Sequence, residues 1–101
     1  MNKVEFKEWL FNNSDMKGRA VSDAASRCMR IEKSFQVDIE KEYKKDKCES
    51  LFAMISYGKK DKDKGLLPPK ELKLDTSKNS VASISQLRYS LKKYKEFIEN
   101  R

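Results

Sequence analysis

Residues 80–100 read SVASISQLRYSLKKYKEFIEN, and their apolar members fall at helical spacing. At about 100° per residue Ile84, Leu87, Leu91, Tyr94 and Ile98 form one stripe, the mark of an amphipathic helix. Ser80 is the expected N-cap, because its hydroxyl can accept from a free amide of the first turn. A stripe of this length needs other apolar faces to cover it, and the preceding residues supply them.

Working toward the N-terminus, CESLFAMI places Cys48, Leu51, Phe52 and Ile55 at i, i+3, i+4 and i+7. That spacing predicts a helix with Asp46 as a possible cap and Gly58 as its stop. DIEKEYKKD predicts a short helix capped by Asp38, with Ile39 and Tyr43 four residues apart. Ser22 reads as the N-cap of a longer helix, whose Ala24, Ala25, Cys28, Ile31 and Phe35 recur at helical spacing. At the start, Phe6, Trp9 and Leu10 share a face of a first helix, which ends in the turn-forming run Asn12 to Asp15. The expectation is an all-α domain spanning residues 1–101, a small bundle of four to five helices around one core. Trp9, Phe35, Phe52 and Leu91 are its expected central residues.

Residues 59–79 break the pattern. KKDKDK has no apolar member, Gly65 and Pro68-Pro69 oppose regular structure, and TSKNS is turn-like, so a long charged loop is expected here. Unanchored loops of that length are uncommon inside a compact domain. Some of Leu66, Leu67, Leu72 and Leu74 are therefore expected to dock on the core.

The chain has 101 residues, 38% hydrophobic and 39% charged, which bounds it to one domain with a lean core. Its net charge of +7 is uneven. Residues 1–46 carry ten basic and nine acidic side chains, and residues 47–101 carry thirteen and seven. Such an excess favours polyanionic partners. No leader and no run of about 18 apolar residues is present, so a cytoplasmic protein without a membrane partner is expected. In that compartment Cys28 and Cys48 are expected to be buried, reduced thiols.

Catalytic chemistry finds little to stand on. Histidine is absent, which removes the commonest general base and metal ligand. Three scattered glycines make no phosphate loop, and carboxylates such as Glu5 alternate with lysines on helix faces. Two cysteines without histidine make a poor zinc site. Neither an enzyme nor a bound cofactor is expected.

Two basic rows remain. Arg27, Arg30 and Lys33 project from the second helix, opposite its apolar face. Arg88, Lys92 and Lys95 flank the stripe of the last helix, with Tyr89 and Lys93 further round. Rows of this kind neutralise phosphates and release counterions. The plain alternative is a solvated face, with Asp23 paired to Arg27, Lys92 to Glu96 and Lys95 to Glu99 at i, i+4.

The C-terminal stretch SKNSVASISQLRYSLKKYKEFIEN resembles the last helix of the SAM-like core-binding domain of phage integrases, the tyrosine recombinases. A polar cap, an Ile, a Leu-Arg pair and an aromatic, charged ending carry the resemblance. FKEWL near the start and the helices up to ISYG are compatible with that small helical fold. In the family this module clamps one side of a DNA duplex, while a separate domain carries the Arg, His and Tyr of catalysis. The resemblance implies a DNA-contacting module of mobile-element type without cleavage activity, and the spacing of the two rows offers Arg27, Arg30, Lys33, Arg88, Lys92 and Lys95 as its phosphate contacts. The rival reading is a small protein-interaction domain, an inhibitor or assembly module, for which Phe11, Met29, Met54 and Phe97 are the available apolar anchors.

Overall fold

The structure, a computed structural model, describes residues 1–74 and 79–101. The domain is all-α. Helices α1 (Lys3–Asn13), α2 (Arg19–Phe35), α3 (Ile39–Asp46), α4 (Glu49–Met54) and α6 (Ser80–Asn100) form the bundle. Between the last two lie a five-residue helix α5 (Lys59–Asp63) and a 3-10 turn, Lys70–Leu72. The expected loop at 59–79 is thus partly helical, and Thr76 to Lys78 of the turn-like TSKNS lie outside the described residues. Gly58 does not stop α4. It precedes α5, where its amide donates to the Asp61 carboxylate at 2.9 Å, a side-chain contact that supports a helix too short to persist alone.

α2 packs chiefly on α6, and α1 packs on both. The shared face of α2 and α6 carries small residues, Ala24, Ala25, Cys28 and Ser90, all buried. Small side chains let the two backbones approach, close enough for the Cys28 thiol to donate to the Ser90 carbonyl at 3.3 Å. Around that contact Ile31, Ile39, Leu51, Ile55, Ile84, Leu87 and Leu91 fill the core.

α2 begins at Arg19, three residues before the expected cap Ser22, with Gly18 as N-cap at φ +47°. The early start places Val21 inside the first turn, where it is buried. A good cap is worth about 1 kcal/mol, and burying a Val contributes roughly 1.5 kcal/mol or more, so packing wins over the serine. On α3 the expected Asp38 cap is present, accepting from the Glu40 amide at 3.0 Å. Asp46 serves α4 although Cys48 is formally its N-cap, because its carboxylate accepts from the Ser50 amide at 3.2 Å and from the Ser50 hydroxyl. That hydroxyl holds the Asp46 carboxyl below its usual range against the opposing effect of burial. The last helix is capped by Asn79, one residue before the expected Ser80; Asn79 Oδ1 accepts from the Ala82 amide at 3.0 Å, and Ser80 is buried.

The aromatic centre also differs from expectation. Leu91 is fully buried, but Trp9, Phe35 and Phe52 are only partly buried against the core. Phe6, Tyr94 and Phe97 occupy the centre instead. Phe6 meets Tyr94 edge-on at 4.8 Å, Tyr94 meets Phe97 at 5.4 Å, and Trp9 leans on Phe97 from outside at 6.0 Å. Phe97, expected to lie off the stripe, replaces Ile98 as its last buried member because α1 covers that side of α6. Tyr94 keeps its hydroxyl satisfied in the core: it accepts from the Asn2 amide at 2.7 Å and donates to Glu40 at 3.1 Å. Burial would raise the Glu40 carboxyl, but hydrogen bonds from Arg101 and Tyr94 outweigh it and hold the group below its usual range. At this same N-terminal end of α3, Glu32 Oε2 accepts from the Ile39 amide at 3.0 Å and joins α2 to α3.

Both cysteines are free and buried. Burial, then the nearby Asp46 and Glu42 carboxylates, pushes the Cys48 thiol up to about 11, and burial pushes Cys28 higher still. A helix-terminal Cys48 therefore gains no thiolate character here, since desolvation outweighs any stabilisation by the α4 dipole. Native protein at neutral pH is expected to resist alkylation by iodoacetamide, whereas guanidinium-unfolded protein takes up two adducts. Rapid native labelling seen by intact mass would show that the thiols are not enclosed.

Candidate nucleic-acid interface

The α2 row stands over a shallow groove of roughly 380 Å³, lined by Arg19, Asp23, Ser26, Arg27 and Arg30. Asp23 sits within it and is approached by Arg19 Nε at 3.9 Å, not by Arg27. Lys33, two turns further along α2 from Ser26, is exposed and lies outside this groove. Arg30 is tied to the fold, since its Nη2 donates to the Leu72 carbonyl at 2.9 Å. That bond, with the buried Leu72 side chain, pins the 3-10 turn onto α2. The expected docking of loop leucines is carried by Leu72 and, in part, by Leu74.

On α6 a smaller groove of roughly 260 Å³ is lined by Phe52, Ser85, Arg88, Tyr89 and Lys92. Ser85, Arg88, Tyr89 and Lys92 stand at i, i+3, i+4 and i+7, so the helix itself presents them together. Phe52 comes from α4. The Arg88 guanidinium lies 5.6 Å from the Phe52 ring centre, and its Nη1 donates to the Phe52 carbonyl at 2.8 Å and the Ile55 carbonyl at 3.4 Å. These carbonyls lie at the end of α4, where helical partners run out, so Arg88 supplies the charge-assisted C-terminal cap that Gly58 does not. Lys95 lies outside the groove, near enough to Cys48 to oppose the rise of its pKa.

The six basic residues therefore separate into two grooves, Arg27 with Arg30 and Arg88 with Lys92, while Lys33 and Lys95 belong to neither. Arg30 and Arg88 are anchored on backbone carbonyls. None of the three i, i+4 pairs expected for a solvated face is formed among the described residues. Asp23 faces Arg19, Glu96 pairs with Lys93 at 3.4 Å, and Glu99 accepts from the Tyr43 hydroxyl at 3.2 Å. Arg27, Lys33, Lys92 and Lys95 are left without a carboxylate within ion-pair distance among the described residues.

Exposed apolar side chains lie elsewhere. Phe11, Met29 and Met54 reach solvent, as do Val4, Leu66 and Leu67, with Tyr89 the exception inside the α6 groove, whereas Phe97 is buried and is no anchor for a partner. Pattern does not separate Leu66 and Leu67 from Leu72 and Leu74, since four leucines in one connection carry no period. Tyr89 is legible in the sequence as a residue beside the basic row, but its enclosure with Phe52 is not. Among the described residues no group of three or more Cys, Asp and Glu side chains could hold a metal ion, and no helix is long and apolar enough to cross a membrane.

Comparison with protein-family models, curated proteins and solved structures finds no match for this chain.

Proposed function

We propose that this domain is a non-catalytic DNA-contacting module that binds the phosphate backbone of a duplex through the cations of α2 and α6. The observation that carries the reading is that Arg27, Lys33, Lys92 and Lys95 have no intramolecular carboxylate partner among the described residues. A face built only to be solvated gains from i, i+4 pairing; here Asp23, Glu96 and Glu99 turn to Arg19, Lys93 and Tyr43, and the four cations stay open to an external anion. The resemblance of the last helix to the integrase core-binding module supports the same class of partner. Arg30 and Arg88 contribute as anchored residues, with the guanidinium donors that their carbonyl bonds do not use.

Fluorescence anisotropy against a labelled duplex over a salt series tests this. Log affinity is expected to fall linearly with log salt at about −0.9 per phosphate contact. The Lys33→Glu, Lys92→Glu double variant should flatten the slope by about two units with little change in stability, since neither ammonium is engaged in the fold. A folded protein that binds no duplex at about 50 mM salt, where non-specific contacts are strong, overturns the proposal.

One observation favours the rival reading as a protein-interaction domain. Leu66 and Leu67 are 53% and 77% exposed, at a segment held by the Tyr57 hydroxyl donating to the Leu66 carbonyl at 2.8 Å and stiffened by Pro68-Pro69. Apolar anchors presented on a held segment are what a protein binder requires. On that reading no duplex affinity is measured, and the lysine reversals leave partner binding unchanged.

A further inference from the structure

Resting on the duplex-binding reading, we infer that the groove between α4 and α6 receives an unpaired nucleotide next to the duplex, with Tyr89 stacking on its base and Arg88 and Lys92 holding the adjoining phosphates. The two basic grooves differ in what lines them. The α2 groove contains Asp23, which repels a phosphate, and has no aromatic member. The α6 groove has two cations, two aromatic rings, one hydroxyl from Ser85 and no carboxylate.

Each of its members is suited to an anion joined to a flat ring. Arg88 is oriented before any ligand arrives, because two backbone carbonyls and the Phe52 ring fix the guanidinium. Those bonds use Nη1 alone, so Nε and Nη2 retain donors for a phosphate oxygen. Lys92 stands one turn further along the helix, exposed. Tyr89 lies between them with half its surface open, and the Lys93 ammonium is 5.5 Å from its ring centre. A single exposed tyrosine is ordinary on a protein surface. A half-exposed tyrosine flanked by two cations, in a groove lined by no acid, forms the stacking platform and phosphate cradle that single-stranded nucleic acid uses. A base inside a duplex has both faces covered by its neighbours, so along the duplex this ring finds an open face where a base is unpaired: a tail, a bulge or a frayed end.

Three probes of one sequence separate the possibilities: a blunt duplex, the same duplex with a short single-stranded tail, and the same tail made abasic so that phosphates remain without bases. Wild-type protein is expected to bind the tailed duplex about tenfold more tightly than the abasic-tailed one, in line with stacking of a single base. Tyr89→Ala should abolish that difference and leave blunt-duplex affinity within about twofold, while Tyr89→Phe, which keeps the ring, should preserve it. Equal affinity for the two tailed probes, or a preference that survives Tyr89→Ala, overturns the inference while duplex binding stands. Failure to bind any of the three overturns both.

Discussion

Leu91→Asp is expected to abolish cooperative folding. Leu91 lies in the middle of α6 and is fully buried in the core. Truncating a buried leucine costs about 2–5 kcal/mol through lost transfer energy and the cavity left behind. The aspartate adds the cost of burying a carboxyl with no partner, about 1–3 kcal/mol even when it is protonated. Domains of this size hold about 5–15 kcal/mol in total, so the sum reaches the range of the whole stability. Loss of the sigmoidal thermal transition in far-ultraviolet circular dichroism, with retention of that transition in Leu91→Met, is the expected pair of results. Full helicity with a cooperative melt in Leu91→Asp would show that the stripe is not the core.

Arg88→Glu should destabilise the domain while Lys92→Glu, four residues away on the same groove, should not. Both residues lie beside the apolar stripe, and from the sequence alone reversing either leaves the core atoms in place. Only the fold shows that Arg88 closes the C-terminal end of α4 through the Phe52 and Ile55 carbonyls. Losing a charge-assisted hydrogen bond costs about 1.5–3 kcal/mol, and a carboxylate facing helix-terminal carbonyls adds repulsion of the opposite sign to the dipole's preference. Lys92 makes no such bond and is exposed, so its reversal should stay within about 0.5 kcal/mol. Urea midpoints report the contrast. Equal midpoints for the two variants would mean that the guanidinium does not hold α4. For this reason the reversals chosen to probe DNA are Lys33 and Lys92, since a change at Arg88 mixes folding with binding.

The expected resistance of Cys48 to alkylation and the stability of α4 share a cause, the contacts that close this short helix at its two ends. Cys48 starts α4 with its thiol donating to the Ile39 carbonyl at 3.7 Å, and Arg88 finishes it. A six-residue helix is too short to persist by propensity. Its existence rests on Leu51 and Ile55 being buried and on both ends being satisfied by contacts with α3 and α6.

Local chemistry is enough to read most of the elements. Periodic apolar residues define α1, α2, α4 and α6, and Asp38 caps α3 because an acceptor one residue ahead of a helix bonds only its own first turn. The two basic rows are legible on the same ground, as side chains at i, i+3 and i+4 share a face whatever the rest of the chain does. What the sequence does not contain is which neighbour covers which flank. Phe97 and Ile98 are adjacent on the chain and both border the stripe, and α1 lying on one side made Phe97 core and left Ile98 partly exposed. Ser22 is the better cap by composition, yet the value of burying Val21 moved the start of α2 to Arg19. Arg30 and Arg88 look like their basic neighbours until the Leu72, Phe52 and Ile55 carbonyls are placed beside them. Sequence thus determined the five bundle helices and the sign of their faces through short-range periodicity, but not α5 or the 3-10 turn, whose residues carry no apolar period. The tertiary structure decided which cations are anchored and which are free, because that depends on contacts between residues 33 to 42 positions apart in the chain.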